Sequence, residues 1–91
     1  MALRAEGKKI LLADDAPEIV EMIHLVLERR GYQVISFDNG KKALDAVPEV
    51  NPDLILLDII MPGMTGLEVC EKLKENPESR GIPIILITSA T

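Results

Sequence analysis

The stretch Lys8–Gly40, KKILLADDAPEIVEMIHLVLERRGYQVISFDNG, decides the fold. It opens on an apolar run, Ile10–Ala13, meets two carboxylates, Asp14 and Asp15, and then changes period. Pro17 suits a first helical position, where its missing N–H costs nothing. Glu18 and Glu21 follow, placed where the positive end of a helix dipole favours acid. Ile19, Ile23, Val26 and Leu27 predict an apolar stripe at helical spacing. Arg29 and Arg30 fill the last turn and Gly31 ends it. A second apolar run, Val34–Phe37, comes next. Strand, helix, strand is the crossover unit of a parallel sheet.

Working outward, two more apolar runs stand at Leu54–Leu57 and Ile84–Ile87. All of these runs are too short for buried helices and too continuously apolar for a sheet with one wet face. Parallel strands covered on both faces read this way. A second helix is expected from an Asn39 cap through Ala43, Leu44 and Val47, stopped by Pro48. A third begins near Thr65, carries Leu67, Val69, Cys70 and Leu73, and ends before Pro77. The order is β-α-β-α-β-α-β. Right-handed crossovers then make an open, doubly wound α/β sheet.

Composition narrows the function classes. The chain has 91 residues, enough for one small domain, with 47% hydrophobic and 27% charged residues. No apolar run approaches the roughly 18 residues of a membrane span, and MALRAEGKK lacks the apolar core of a signal peptide. The lone cysteine, Cys70, excludes an internal disulfide and fits a cytoplasmic setting. Net charge is −5, with no dense basic cluster, so neither nucleic acid nor an acidic membrane is an expected direct partner. Tyr32 and Phe37 are the only aromatic residues, too few for a base-stacking surface.

The chemistry lies in the acids. Asp14 and Asp15 follow directly on the first strand, Asp58 on the third, and Thr88 on the fourth. In open α/β sheets, sites form at the carboxyl ends of strands, where strand order reverses. Taken singly, Asp14–Asp15 could cap a helix and Asp58 could open a turn with Pro62 and Gly63. Their joint placement at strand ends favours a site. Three carboxylates there would repel one another unless a cation sits among them. An all-oxygen set selects a hard ion such as Mg²⁺, and the absence of His or Cys nearby in sequence argues against zinc. His24, mid-helix among apolar neighbours, is read as structural or merely exposed. Cys70 is read as helix packing, and Met22, Met61 and Met64 as gap-filling packing.

These residues together resemble a family. Asp58-Ile59-Ile60-Met61-Pro62-Gly63-Met64-Thr65-Gly66 is similar to the D-x-x-M-P-x-M-[TSDN]-G signature of response-regulator receiver domains. The run KKILLADD resembles their first strand and acidic pair, Asn39–Leu44 their N-G-x-x-A-L helix, and Pro83–Thr88 their fourth strand and switch threonine. The resemblance spans nearly all of the chain from Lys8. It implies a flavodoxin-like doubly wound sheet of strand order 2-1-3-4-5, preceded here by a flexible leader at residues 1–7, with the partial receiver domain at 8–91.

Residue by residue, the resemblance implies Asp58 as phosphoacceptor. Asp15 would bind Mg²⁺ directly, Asp14 would act through water, and the backbone carbonyl of Ile60 would be a further ligand. Thr88 would contact a phosphoryl oxygen, with Ala90 in the loop beyond it. The implied partner is a histidine kinase or phosphotransfer protein, and the implied role is that of a phosphoacceptor rather than a turnover enzyme. Small phosphodonors would also serve, and Mn²⁺ would replace Mg²⁺.

Receivers also carry a fifth strand with a lysine after it, and an aromatic switch residue. Both would fall beyond Thr91, and Lys8, Lys9, Lys41 and Lys42 match neither. The expectation is therefore a receiver truncated after its fourth strand. The alternative function is a truncated or engineered fragment that self-associates, through the fourth-strand edge or by segment exchange, and no longer signals. A dehalogenase-type phosphatase also uses a strand-end Asp, but it needs a second Asp two residues on, where this chain has Ile60.

Overall fold

The computed structural model describes residues 7–88. The expected leader, apart from Gly7, and Ala90 lie outside them. Seven elements alternate as expected: β1 (Lys9–Ala13), α1 (Pro17–Arg29), β2 (Gln33–Phe37), α2 (Gly40–Val50), β3 (Leu54–Asp58), α3 (Gly66–Glu75) and β4 (Ile84–Ile87). The strands form one parallel sheet of order β2-β1-β3-β4. This is the flavodoxin-like α/β arrangement. The order reverses at β1, between β2 and β3, so the loops after β1 and β3 open side by side.

Alternation along the strands divides the apolar residues between two faces. Leu11, Ala13, Ile55 and Leu57 point to the face covered by α2 and α3, where they pack with Ala43, Val47, Val69 and Leu73. Ile10, Leu12 and Val34, also buried, point to the face carrying α1. Each fully buried Leu or Ile contributes roughly 1.5–3 kcal/mol, so β1, covered on both faces, is the best-anchored strand.

The helix starts follow their sequence signals. Thr65 accepts the Glu68 N–H at 3.2 Å while Glu68 accepts the Thr65 N–H at 3.0 Å, a complete capping box on α3. Asn39 caps α2 through the Lys42 N–H at 2.9 Å. Pro17 is the first residue of α1, and the N-cap Ala16 makes no side-chain capping hydrogen bond.

Four expectations need correction. Pro48 does not stop α2, which continues to Val50. A proline near a helix end forfeits one bond, to the Leu44 carbonyl, and the helix closes instead through the Asn51 N–H to Val47 O at 2.8 Å, with Asn51 left-handed at φ 50°. Val26 belongs to the expected buried stripe of α1 but is 50% exposed, because α1 packs on β2 and leaves its other flank uncovered. Met22, expected to pack, is also exposed. β4 is not covered on both faces: Ile85 is 50% exposed. Among the described residues β4 ends the sheet, and no helix is long and apolar enough to cross a membrane.

Candidate phosphoacceptor and metal site

β1 and β3 are adjacent and parallel, with Ala13 paired to Leu57. Their next residues, Asp14 and Asp58, therefore emerge together at one end of the sheet. Asp15 follows Asp14 into the loop. One carboxylate oxygen from each of Asp14, Asp15 and Asp58 lies within 4.8 Å of the others. Asp14 and Asp58 are each only 4% exposed, whereas Asp15 faces solvent.

Each buried acid is held by its own loop. Asp14 accepts the Ala16 N–H at 2.9 Å, and Asp58 accepts the Ile60 N–H at 3.1 Å. These short turns aim the carboxylates without help from a distant side chain. Just past β3, Ile59 N–H donates to Ile87 O and Gly66 N–H to Ile59 O, so the chain beyond Asp58 is tied both to β4 and to α3.

Electrostatics follow from the crowding. Burial pushes the Asp14 carboxyl above its ordinary value, and the charges of Asp58 and Asp15 push it the same way. The Ala16 hydrogen bond opposes them without prevailing. The cluster thus resists full ionisation and gains from a cation. The donors are all oxygen, two of them buried, and such a set fits a hard cation of the Mg²⁺ or Mn²⁺ type.

Ile60 follows in the loop, its side chain 67% exposed. Thr88 is the first residue past β4, whose Ile87 pairs with Asp58, so its chain position is beside the acids although its side chain is exposed. A pocket of about 400 Å³ opens beside the cluster, lined by Asp14, Asp15, Pro17, Val20, Ser36, Phe37, Asp38 and Lys42.

Sequence reasoning did not single out three of the residues here. Gly66 stands at the close of the signature, but its direct approach to Asp58 depends on how α3 docks. Ser36 lies inside an apolar run, where its hydroxyl was the only signal. Lys42 pairs with Asp38 at 3.4 Å, an exposed contact of little energetic weight, while it lines the acid pocket.

Comparison with known proteins agrees with this geometry. The family model described as response regulator receiver domain matches residues 10–91. The DNA-binding response regulator MtrA of Mycolicibacterium smegmatis is 40% identical over 84 residues, covering 92% of this chain. The chain spans only 36% of that relative's length. The N-terminal domain of a response regulator receiver protein from Methanoculleus marisnigri is 40% identical with a TM-score of 0.88, covering 93% of this chain and 69% of that one. TrrA of Thermotoga maritima is 38% identical and covers 92% of this chain and 71% of its own. It has been solved with Mg(2+)-BeF, TM-score 0.84, and in complex with the histidine kinase ThkA, TM-score 0.82. The chain therefore belongs to the response regulator receiver domain family of two-component signalling.

Proposed function

We propose that this chain is a cytoplasmic phosphoacceptor module in which Asp58 takes a phosphoryl group from a histidine kinase or a phosphotransfer protein. The observation that carries the reading is the convergence of Asp14, Asp15 and Asp58 within 4.8 Å at the mouth of the sheet. A carboxylate oxygen of Asp58 attacks phosphorus in line with the leaving group. The new O–P bond forms as the donor's P–N or P–O bond breaks, and the leaving group takes the electron pair and a proton from solvent. The product is an acyl phosphate, a labile mixed anhydride suited to a reversible signal.

Asp14, Asp15, Asp58 and the Ile60 backbone carbonyl would hold the metal. When bound, Mg²⁺ supplies the positive charge that offsets repulsion between these acids and an anionic phosphoryl group. Thr88 would contact a phosphoryl oxygen. The relative TrrA, solved with Mg(2+)-BeF and with a histidine kinase, supports both the metal and the class of donor.

The nature of the bond is the test. Label taken from a radioactive small phosphodonor in Mg²⁺ should be discharged by neutral hydroxylamine, as acyl phosphates are. Label that survives hydroxylamine would be a serine or threonine ester and would sink the proposal.

A second reading rests on a different observation. Among the described residues β4 is an outer strand of the sheet with Ile85 half-exposed, and Met22, Leu25 and Val26 of α1 are exposed as well. Unpaired apolar strand edges template association. The 91-residue chain on this reading self-associates, pairing fourth strands or exchanging segments.

A further inference from the structure

Helix α1 carries a second apolar stripe, turned away from the sheet. Ile19, Val20, Ile23, His24 and Leu27 are its half-buried positions, set toward the sheet where α1 packs on β2. Met22, Leu25 and Val26 are each about half exposed, uncovered among the described residues. At 3.6 residues per turn, Met22 and Leu25 fall on one line with Glu18 and Arg29, which are both exposed. The steps along that line are four, three and four residues, the spacing of a helix-pairing seam. Val26 flanks its centre. The line therefore has an acid at its N-terminal end, a base at its C-terminal end and apolar side chains between them.

Such a line is complementary to itself in one direction only. A second α1 laid antiparallel across a two-fold axis sets Glu18 opposite Arg29 at both ends and Met22 opposite Leu25 in the middle. Laid parallel, the same pair would set Glu18 against Glu18 and Arg29 against Arg29. Exposed ion pairs add little affinity, but they select direction. The helix dipoles agree, since each positive N-terminus then lies beside the negative C-terminus of its neighbour.

We propose that α1 is a docking surface for a second copy of this chain, which seats its own α1 antiparallel on the line from Glu18 to Arg29. The contact uses no residue of β4 and none of the acid cluster. It stands or falls separately from strand-edge association and from the metal reading. Three apolar side chains per copy make a small interface, with a dissociation constant on the order of 0.1–1 mM.

A concentration series tests it. Ile85→Lys places a charge on β4, so pairing through α1 is read there without strand-edge pairing. Backbone amide NMR and sedimentation follow that variant from about 10 µM to about 1 mM. It should pass from monomer toward dimer, with the concentration-dependent amide shifts centred on α1. Adding Arg29→Glu, which sets acid against acid at both ends, should weaken the association by about ten-fold. Adding Glu18→Arg together with Arg29→Glu reverses both ends and should recover it. A monomer throughout the range would overturn the proposal and leave the stripe to a helix of some other protein. Shifts centred away from α1, association undiminished by Arg29→Glu, or a loss that Glu18→Arg does not repair would each overturn it as well.

Discussion

The α-carbon of Gly66 is backed directly against the main chain of Asp58. A methyl group built there would collide with the Asp58 carbonyl oxygen and stand 2.9 Å from its carbonyl carbon. The first turn of α3 is thus seated on Asp58, with the Gly66 N–H donating to Ile59 O at 3.1 Å.

Gly66→Ala should therefore cost stability although alanine is the better helix former. Overpacking of a tight backbone contact costs typically about 1–3 kcal/mol, against a propensity gain of up to about 1 kcal/mol. Gly81→Ala is the control, because a methyl group there meets nothing within 4 Å. Thermal melts should show Gly66→Ala lowered by several degrees and Gly81→Ala near wild type. Equal melting of the two variants would refute the contact.

Asp14 gives a pH-dependent prediction. Its carboxyl holds its proton above the usual range because of burial and the neighbouring charges of Asp58 and Asp15. A raised native pKa gives a contribution fully present below the unfolded-state pKa and lost as pH rises through the native one. In metal-free buffer Asp14→Asn should therefore melt a few degrees above wild type at neutral pH, and this gain should shrink to nothing on the acid side of the carboxylate range. The Ala16 N–H can still be accepted by the asparagine oxygen. A variant less stable than wild type at neutral pH would mean that the ionised acid contributes more than it costs.

Magnesium should reverse that order. A ligand bound only by the native state stabilises it by RT ln(1 + [L]/Kd), about 1.4 kcal/mol at ten times Kd. Wild type should melt higher in millimolar Mg²⁺, and Asp15→Asn should lose most of the increment. The same increment in both proteins would remove Asp15 from the site.

The strand edge predicts assembly. Burying an apolar side chain such as Ile85 is worth roughly 1.5–3 kcal/mol, so several together can join two marginal domains. Sedimentation at micromolar concentration should find a dimer or larger species, and Ile85→Lys should return it to monomer. A wild-type monomer at that concentration contradicts the reading.

Much of this was legible in the chain. The four strands and their parallel order follow from short apolar runs separated by helical patterns, and the acid cluster follows from Asp14, Asp15 and Asp58 standing just where those runs end or break off. Capping residues marked the starts of α2 and α3. What escaped depended on tertiary cover. Val26 and Ile85 are apolar in the expected periodicity, yet no pattern along the chain says how far α1 extends across the sheet. Pro48 read as a stop because the rule concerns helix interiors, whereas here only the last turn follows it. The Gly66–Asp58 approach and the His24–Ser36 contact join residues from different elements, and no local signal announces either.

The central claim is that Asp58 accepts a phosphoryl group. Intact-mass spectrometry after treatment with acetyl phosphate and Mg²⁺ tests it most directly. One added phosphoryl group should be found on wild type, located to the peptide carrying Asp58, and none on Asp58→Asn or in excess chelator. Equal incorporation in wild type and Asp58→Asn, or a phosphoryl group located on another residue, would contradict the account.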